Sequence, residues 1–206
     1  GDAEFQIVRH LTSEDWMVAI TSGTLESRGG GNISVTDHYD EARKAYKKSI
    51  DGLRASPTTT PLELAEALVN QADWYLVFGR SRRARNLYEE AWQILAQDEE
   101  YAELAESFLG QPRPMHFVEP PPALLEELPP ELEAVNIDVS MTVTSFGDVR
   151  YVELKNPPEV LSKQQLGVIE REVRETPFRP AMKAGEVVTT KDFIWQFAVA
   201  PQVATS

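Results

Sequence analysis

Cysteine is absent from the sequence, and histidine occurs only three times among its 206 residues. Without cysteine, the chain has no disulfide, no thiol nucleophile and no cysteine-ligated zinc or iron site. The histidines, His10, His38 and His116, are far apart in the sequence. None belongs to the His-x-x-x-His or His-Glu-x-x-His spacing that places two zinc ligands on one helix face. We therefore predict no metal site.

Short catalytic motifs are also missing. The sequence has no Gly-x-Ser-x-Gly elbow, the motif that exposes a nucleophilic serine. The run Gly29-Gly30-Gly31 is not followed by the Lys-Ser or Lys-Thr pair that a phosphate-binding loop requires. Only residues distant in sequence are left to assemble an active site. We predict a protein that is not an enzyme, with no catalytic residues and no cofactor.

The chain lacks both a long apolar run and an excess of positive charge. No stretch approaches the roughly eighteen apolar residues that a membrane-spanning helix needs, so we predict no span within this chain. The formal net charge is −13. This negative balance argues against nucleic acid or an anionic membrane surface as a partner. We predict that the partner is another protein or a second copy of this chain.

The first half of the chain is predicted to be helical. Residues 1–36 are interpreted as an N-terminal cap followed by a flexible, glycine-rich loop. Helices are predicted, in order, over residues 37–53, 61–78, 82–96 and 98–109. Pro61 suits the first turn of its helix, where the missing N–H has no intrahelical partner to lose. Three positions recur 42 residues later: Ala42, Tyr46 and Ser49 correspond to Ala84, Tyr88 and Ala91.

This helical region resembles a tetratricopeptide repeat. The residues that carry the resemblance are Ala72, Tyr75, Phe78-Gly79, Ala84, Tyr88 and Ala91. It implies helical hairpins over residues 37–110 that present a groove for a peptide. We place Asn70 and Asp73 in that groove as candidate partner-binding residues. Trp74 is a further candidate for lining this groove, and the alternative interpretation is that Trp74 and Trp92 are core aromatics.

Four arginines surround the turn between the second and third predicted helices: Arg80, Arg82, Arg83 and Arg85. Guanidinium groups bind carboxylates through paired hydrogen bonds, so this cluster suits an acidic strip on a partner. We take Arg82 and Arg85 as further candidate partner-binding residues. The alternative is a solvated turn whose arginines pair with acids of the following helix.

A proline-rich and acidic segment separates the helices from the second half of the chain. Prolines at Pro112, Pro114 and the runs Pro120-Pro121-Pro122 and Pro129-Pro130 favour an extended backbone. We predict a linker over residues 111–131, and a second domain over residues 132–200.

The second domain is predicted to have the order strand, strand, helix, strand. Apolar residues alternate with polar ones from Val135 to Val143, which is typical of a strand with one buried face. Gly147 marks a turn, and a second strand is expected over residues 149–154. Ser162 and Gln165 have the spacing of a capping box at the start of a helix. Phe193, Trp195, Phe197 and Val199 then alternate in an aromatic-rich final strand. The predicted fold class is α+β.

This ββαβ pattern resembles the C-terminal domain of TonB-type energy transducers. Its most specific part is Phe178-Arg179-Pro180-Ala181, followed by Gly185 and Val188. The resemblance implies a non-catalytic periplasmic domain that binds an outer-membrane or other envelope protein. In that family a partner segment adds a strand to the sheet edge. We therefore take a last set of candidate partner-binding residues from the final strand: Phe193, Trp195, Gln196 and Phe197.

Two other functions fit the same sequence. The first is a structural subunit of a cell-envelope complex, or a homo-oligomer, in which both parts are assembly surfaces. The second is a TonB-like transducer whose membrane anchor is absent from this chain, which starts at Gly1 rather than at methionine.

Overall fold

The computed structural model describes residues 35–115 and 135–199. It has a mixed α+β fold, in which helices are followed by antiparallel strands in small sheets. The predicted N-terminal cap and glycine-rich loop lie outside the described residues, except for Val35 and Thr36. Most of the predicted linker, from residue 116 onward, also lies outside them.

Residues 35–115, the first range that the structure describes, contain four helices. They are α1 (Val35–Ala55), α2 (Pro61–Val77), α3 (Ser81–Ala96) and α4 (Ala102–Leu109). Thr60 and Glu63 form a complete capping box at the start of α2: the Glu63 carboxylate accepts from the Thr60 N–H at 2.8 Å. Pro61 occupies the first helical turn, as predicted.

The predicted start of α4 at residue 98 is wrong by four residues. Residues 98–101 form a turn instead, because the Asp98 carboxylate accepts from the Glu100 N–H at 2.9 Å. An aspartate side chain that bonds to a nearby backbone N–H competes with helix formation. The Tyr101 N–H then donates to the Asp98 carbonyl at 3.0 Å, and α4 begins at Ala102.

Small residues allow α2 and α3 to pack closely. Ala65, Ala72, Ala84 and Ala91 are completely buried, and Tyr88 is nearly so. Close approach of the helix axes follows, because an alanine side chain adds little thickness to the contact. Trp74 is also buried, in contact with Tyr39 and other aromatic rings, so its interpretation as a core residue is confirmed.

The second part of the chain is built on a three-stranded antiparallel sheet. Its strands are β2 (Val135–Val143), β3 (Val149–Lys155) and β7 (Thr190–Val199), in the spatial order β3-β2-β7. Gly147 adopts φ of 86° in the turn between β2 and β3, as the sequence indicates. The central strand β2 therefore pairs on both sides, whereas β3 and β7 are the outer strands.

One helix covers the sheet. This helix, α5 (Lys163–Glu175), begins at the predicted capping box, in which Gln165 accepts from the Ser162 N–H at 2.7 Å. Ile169 and Val173 on its inner face are fully buried. They belong to the same apolar core as Ile137 and Phe197 of the sheet. The opposite face of the sheet is not covered by this helix.

Short strands connect the two parts of the molecule. Strand β1 (Arg113–Pro114) pairs with β4 (Phe178–Arg179). The Met115 N–H continues this contact by donating to the Pro177 carbonyl at 3.0 Å. The beginning of the predicted linker is thus paired structure rather than an open tether.

A small hairpin reinforces the connection between the two parts. Its strands are β5 (Met182–Lys183) and β6 (Glu186–Val187), joined by the predicted turn at Ala184 and Gly185. Met182 and Val187 are buried in the core of the helices, not in the core of the sheet. The segment between α5 and β7 therefore packs against the helical part.

Candidate functional site

The outer strand β7 is the first candidate site. It pairs with β2 from Val135 opposite Val199 to Val143 opposite Thr190. Among the described residues, no strand pairs with its other side. In an antiparallel sheet, alternate residues of an outer strand direct their N–H and C=O groups away from the sheet. Strand β7 thus presents a row of backbone donors and acceptors that is regular over residues 193–199 and is followed by a register shift toward Thr190.

The aromatic side chains of β7 attach this strand to the core. Phe197 is completely buried, whereas Phe193 and Trp195 are half-buried. The Trp195 ring makes edge-to-face contacts with Phe178 and Phe197, at centroid distances of 5.6 and 5.8 Å. These three sequence-predicted residues therefore lie on the face that α5 covers. Their first role is to fix the position of the strand.

Gln196 and Ile194 of β7 face the side of the sheet opposite α5. Gln196 is exposed and donates from Nε2 to the Asp138 carboxylate at 3.1 Å. Ile194 is 51% exposed, which makes it one of the few large apolar side chains on the surface of the described residues. Sequence reasoning did not select Ile194. The sequence nevertheless indicated it. Side chains alternate between the two faces of a strand, so an apolar residue between Phe193 and Trp195 lies on the face opposite to theirs.

The candidates on the helices have different surroundings. Asn70 is exposed on α2, and Arg82 is exposed near the start of α3. Arg85 donates from Nε to Glu89 at 2.7 Å on the surface of α3. That pair matches the alternative in which an arginine of the turn binds an acid of the following helix. The hydrogen bond of Arg85 lies within α3 and does not involve β7.

Asp73 is engaged inside the molecule. Its carboxylate accepts from Arg179 Nε at 2.9 Å, from Arg179 Nη2, and from the Tyr88 hydroxyl at 2.7 Å. Arg179 is 5% exposed, and its Cζ lies 5.5 Å from the centre of the Phe108 ring. With two oxygens that already accept three hydrogen bonds, Asp73 has little capacity left for a partner. We therefore leave Asp73 out of the binding surface.

This buried polar cluster changes the acidity of its members. Burial raises the pKa of Tyr88 well above its usual value, and the negative charge of Asp73 raises it further. Burial also raises the pKa of Tyr46 to about 12, with a smaller contribution from Asp73. For Arg179, burial opposes the charged form, but the Asp73 carboxylate outweighs it and the pKa is raised. Arg179 therefore stays charged, and both tyrosines stay neutral at physiological pH.

Neither a metal cluster nor a membrane span is found in residues 35–115 and 135–199. No three histidine, aspartate or glutamate side chains in these ranges are arranged to hold a metal ion. The helices there are too short or too polar to cross a lipid bilayer.

Comparison of the chain with protein-family models, with curated proteins and with solved structures found no match.

Proposed function

We propose that this chain is a non-catalytic protein-interaction module that binds an extended segment of a partner protein as an added strand at β7. The observation that carries the proposal is the position of β7. It is a ten-residue strand at the outside of the sheet, and among the described residues it is paired only with β2.

The backbone of β7 supplies the affinity in this proposal. A partner segment placed beside β7 gains a ladder of main-chain hydrogen bonds, which do not depend on its side chains. Side chains of such a segment alternate between the two faces of the sheet. On the face that α5 covers they contact the half-buried Phe193 and Trp195, and on the opposite face they contact Ile194. We expect a partner segment with apolar residues at alternate positions.

The packing of the two parts supports a rigid binding surface. Met182 and Val187 lie in the helical core, while Phe178 lies in the core of the sheet. A preorganised strand loses little conformational entropy when a partner binds. The helices in this proposal serve as the support that holds the sheet.

The proposal also includes a cellular location and a family. We place the protein in the periplasm as a member of an envelope assembly, on the resemblance of its halves to tetratricopeptide repeats and the TonB C-terminal domain. A second copy of the chain is the competing occupant of β7, because outer strands also pair with one another.

A site-specific cross-link tests the proposal. The photo-reactive residue p-benzoylphenylalanine replaces Ile194 on β7 or, as a matched control, Tyr151 on the opposite outer strand β3. Tyr151 is 83% exposed. Each variant is irradiated alone and in a bacterial envelope extract. We expect a specific adduct from position 194 only in the extract. A doubled mass without extract identifies the second copy instead, and adducts from position 151 alone contradict the proposal.

A further inference from the structure

A cleft lined by arginines lies at one end of the helical part, between α1 and the turn from α2 to α3. We call it the arginine cleft. Its volume is about 420 Å³, and its lining residues are Tyr39, Asp40, Arg43, Arg80 and Arg83. It shares no lining residue with β7. The function of β7 therefore does not explain it.

Two of its guanidinium groups have neighbours that orient them. The Arg83 guanidinium carbon lies 5.6 Å from the centre of the Tyr75 ring, a cation–π distance. Arg43 donates from Nε to the Asp40 carboxylate at 3.2 Å. That contact uses one N–H of Arg43, and a guanidinium group carries five. Among the described residues no other side-chain hydrogen bond engages these two guanidinium groups, so donors remain available on Arg43 and Arg83 for a bound anion.

Arg80 contributes a third cation together with the start of α3. It is the N-cap residue of α3, and its side chain makes no capping hydrogen bond. Its carbonyl accepts from the N–H groups of Arg83 and Ala84, at 2.9 and 3.1 Å. The first turn of α3 also has no acidic residue to balance the positive end of the helix dipole. The positive potential of three arginines is thus reinforced by the helix.

The other two arginines of the turn serve as an internal comparison. Arg82 and Arg85 do not line the cleft. Arg85 is paired with Glu89. Helical geometry separates the arginines that line the cleft from those that do not. Positions 80 and 83 lie on one face of α3, whereas positions 82 and 85 lie on another.

We propose that the arginine cleft binds a compact oxyanion with two negative charges, either a phosphate group or a dicarboxylate. Its lining carries three cationic side chains and one carboxylate, in a chain whose formal net charge is −13. A dianion balances the remaining positive charge. Phosphate and carboxylate oxygens are also the acceptors that match the fork of a guanidinium group.

Calorimetric titration with small anions tests this proposal. The full chain is titrated with inorganic phosphate, with succinate and with acetate, at constant ionic strength maintained with sodium chloride. We expect saturable binding of one equivalent of phosphate or succinate, and much weaker binding of the singly charged acetate. The better of the two dianions identifies the ligand class.

Matched variants connect the binding to the cleft. Arg80→Gln and Arg83→Gln each remove one lining cation, and each is expected to weaken binding about tenfold or more. Arg82→Gln removes an equal charge from the same turn outside the cleft, and its affinity is expected to equal that of the wild type. Arg83→Lys keeps the charge but loses the forked guanidinium group, and its affinity for the dianion is expected to lie between those of Arg83→Gln and the wild type. Circular dichroism verifies that each variant is folded.

Two results would overturn the proposal. One is the absence of saturable binding of both dianions to the folded wild-type chain. The other is an equal loss of affinity in Arg82→Gln and Arg80→Gln, because it would assign the binding to general surface charge.

Discussion

Asp73 of α2 and Arg179 of β4 form an ion pair between residues that are 106 positions apart in the sequence. The Arg179 side chain is 6% exposed and that of Asp73 is 20% exposed, so both charges are largely removed from water. Tyr88 of α3 donates to the same carboxylate. The pair therefore joins the helical part to the segment that leads into β7.

Removing the Asp73 charge is expected to destabilise the whole fold. Asp73→Asn has nearly the same shape but leaves the buried Arg179 guanidinium without its counter-charge. Loss of one member of a buried pair costs about 3 kcal/mol. Urea unfolding followed by circular dichroism measures the change in the free energy of unfolding.

The matched control for this substitution is Glu89→Gln, which removes the acid of the surface pair with Arg85. The Arg85 and Glu89 side chains are 44% and 30% exposed. A cost below about 1 kcal/mol is expected there, because surface ion pairs are screened by water. Equal losses in the two variants would show that the Asp73 pair contributes no more than a surface pair.

The stability of the fold is expected to decrease in alkaline solution because of Tyr46. Its pKa is about 12 in the folded chain, against 10.0 without the protein environment. Below pH 10 the tyrosine is neutral in both the folded and the unfolded state, so its full contribution to stability is present. Between pH 10 and 12 the unfolded state loses the proton first, and stability falls by up to about 1.4 kcal/mol for each pH unit.

Urea unfolding of the wild type and Tyr46→Phe between pH 9 and pH 11 checks this prediction. Phenylalanine does not ionise, so the variant should lose stability less steeply above pH 10. Parallel curves for the two proteins would contradict the raised pKa of Tyr46. Tyr88 is expected to contribute in the same direction, because burial raises its pKa as well.

Gly147 is expected to tolerate no side chain. Its φ is 86°, and a Cβ atom there would lie 2.6 Å from the Phe178 carbonyl oxygen and 2.9 Å from Leu76. Gly147→Ala therefore combines backbone strain with a clash between the β2–β3 turn and two neighbouring elements. We expect a loss of more than about 1 kcal/mol, measured as a decrease in the melting temperature.

Gly167→Ala is the control for this substitution. Gly167 lies inside α5, and apart from the backbone of the helix itself no atom would be within 4 Å of an added Cβ. Alanine is a better helix former than glycine, so the free energy of unfolding of this variant should rise by up to about 1 kcal/mol. Similar melting temperatures for the two variants would show that the turn moves away from Phe178 at little cost.

Local features of this fold were predictable from the sequence because their causes lie within a few residues. The alternation from Val135 to Val143 indicates β2, and Ser162 with Gln165 indicates the start of α5. Both are confirmed. The start of α4 was predicted wrongly, because the periodic pattern of residues 98–109 does not reveal the backbone bond of Asp98.

Contacts between distant residues were not predictable. No pattern in either segment indicates that Arg113 pairs with Arg179, or that Met182 belongs to the helical core. The arginine cleft has the same limitation, because Arg43 comes from α1, far from Arg80 in the sequence. The final strand was expected near the edge of the sheet, and the strand order β3-β2-β7 confirms that position.

Hydrogen–deuterium exchange tests most directly the claim that a partner adds a strand to β7. The chain is measured alone and in complex with the envelope protein that position 194 cross-links, and exchange is followed for β7, β3 and α2. We predict slower exchange of amides in residues 190–199 on binding, with β3 and α2 unchanged. Protection of β3 or α2 while β7 exchanges as before would contradict the account.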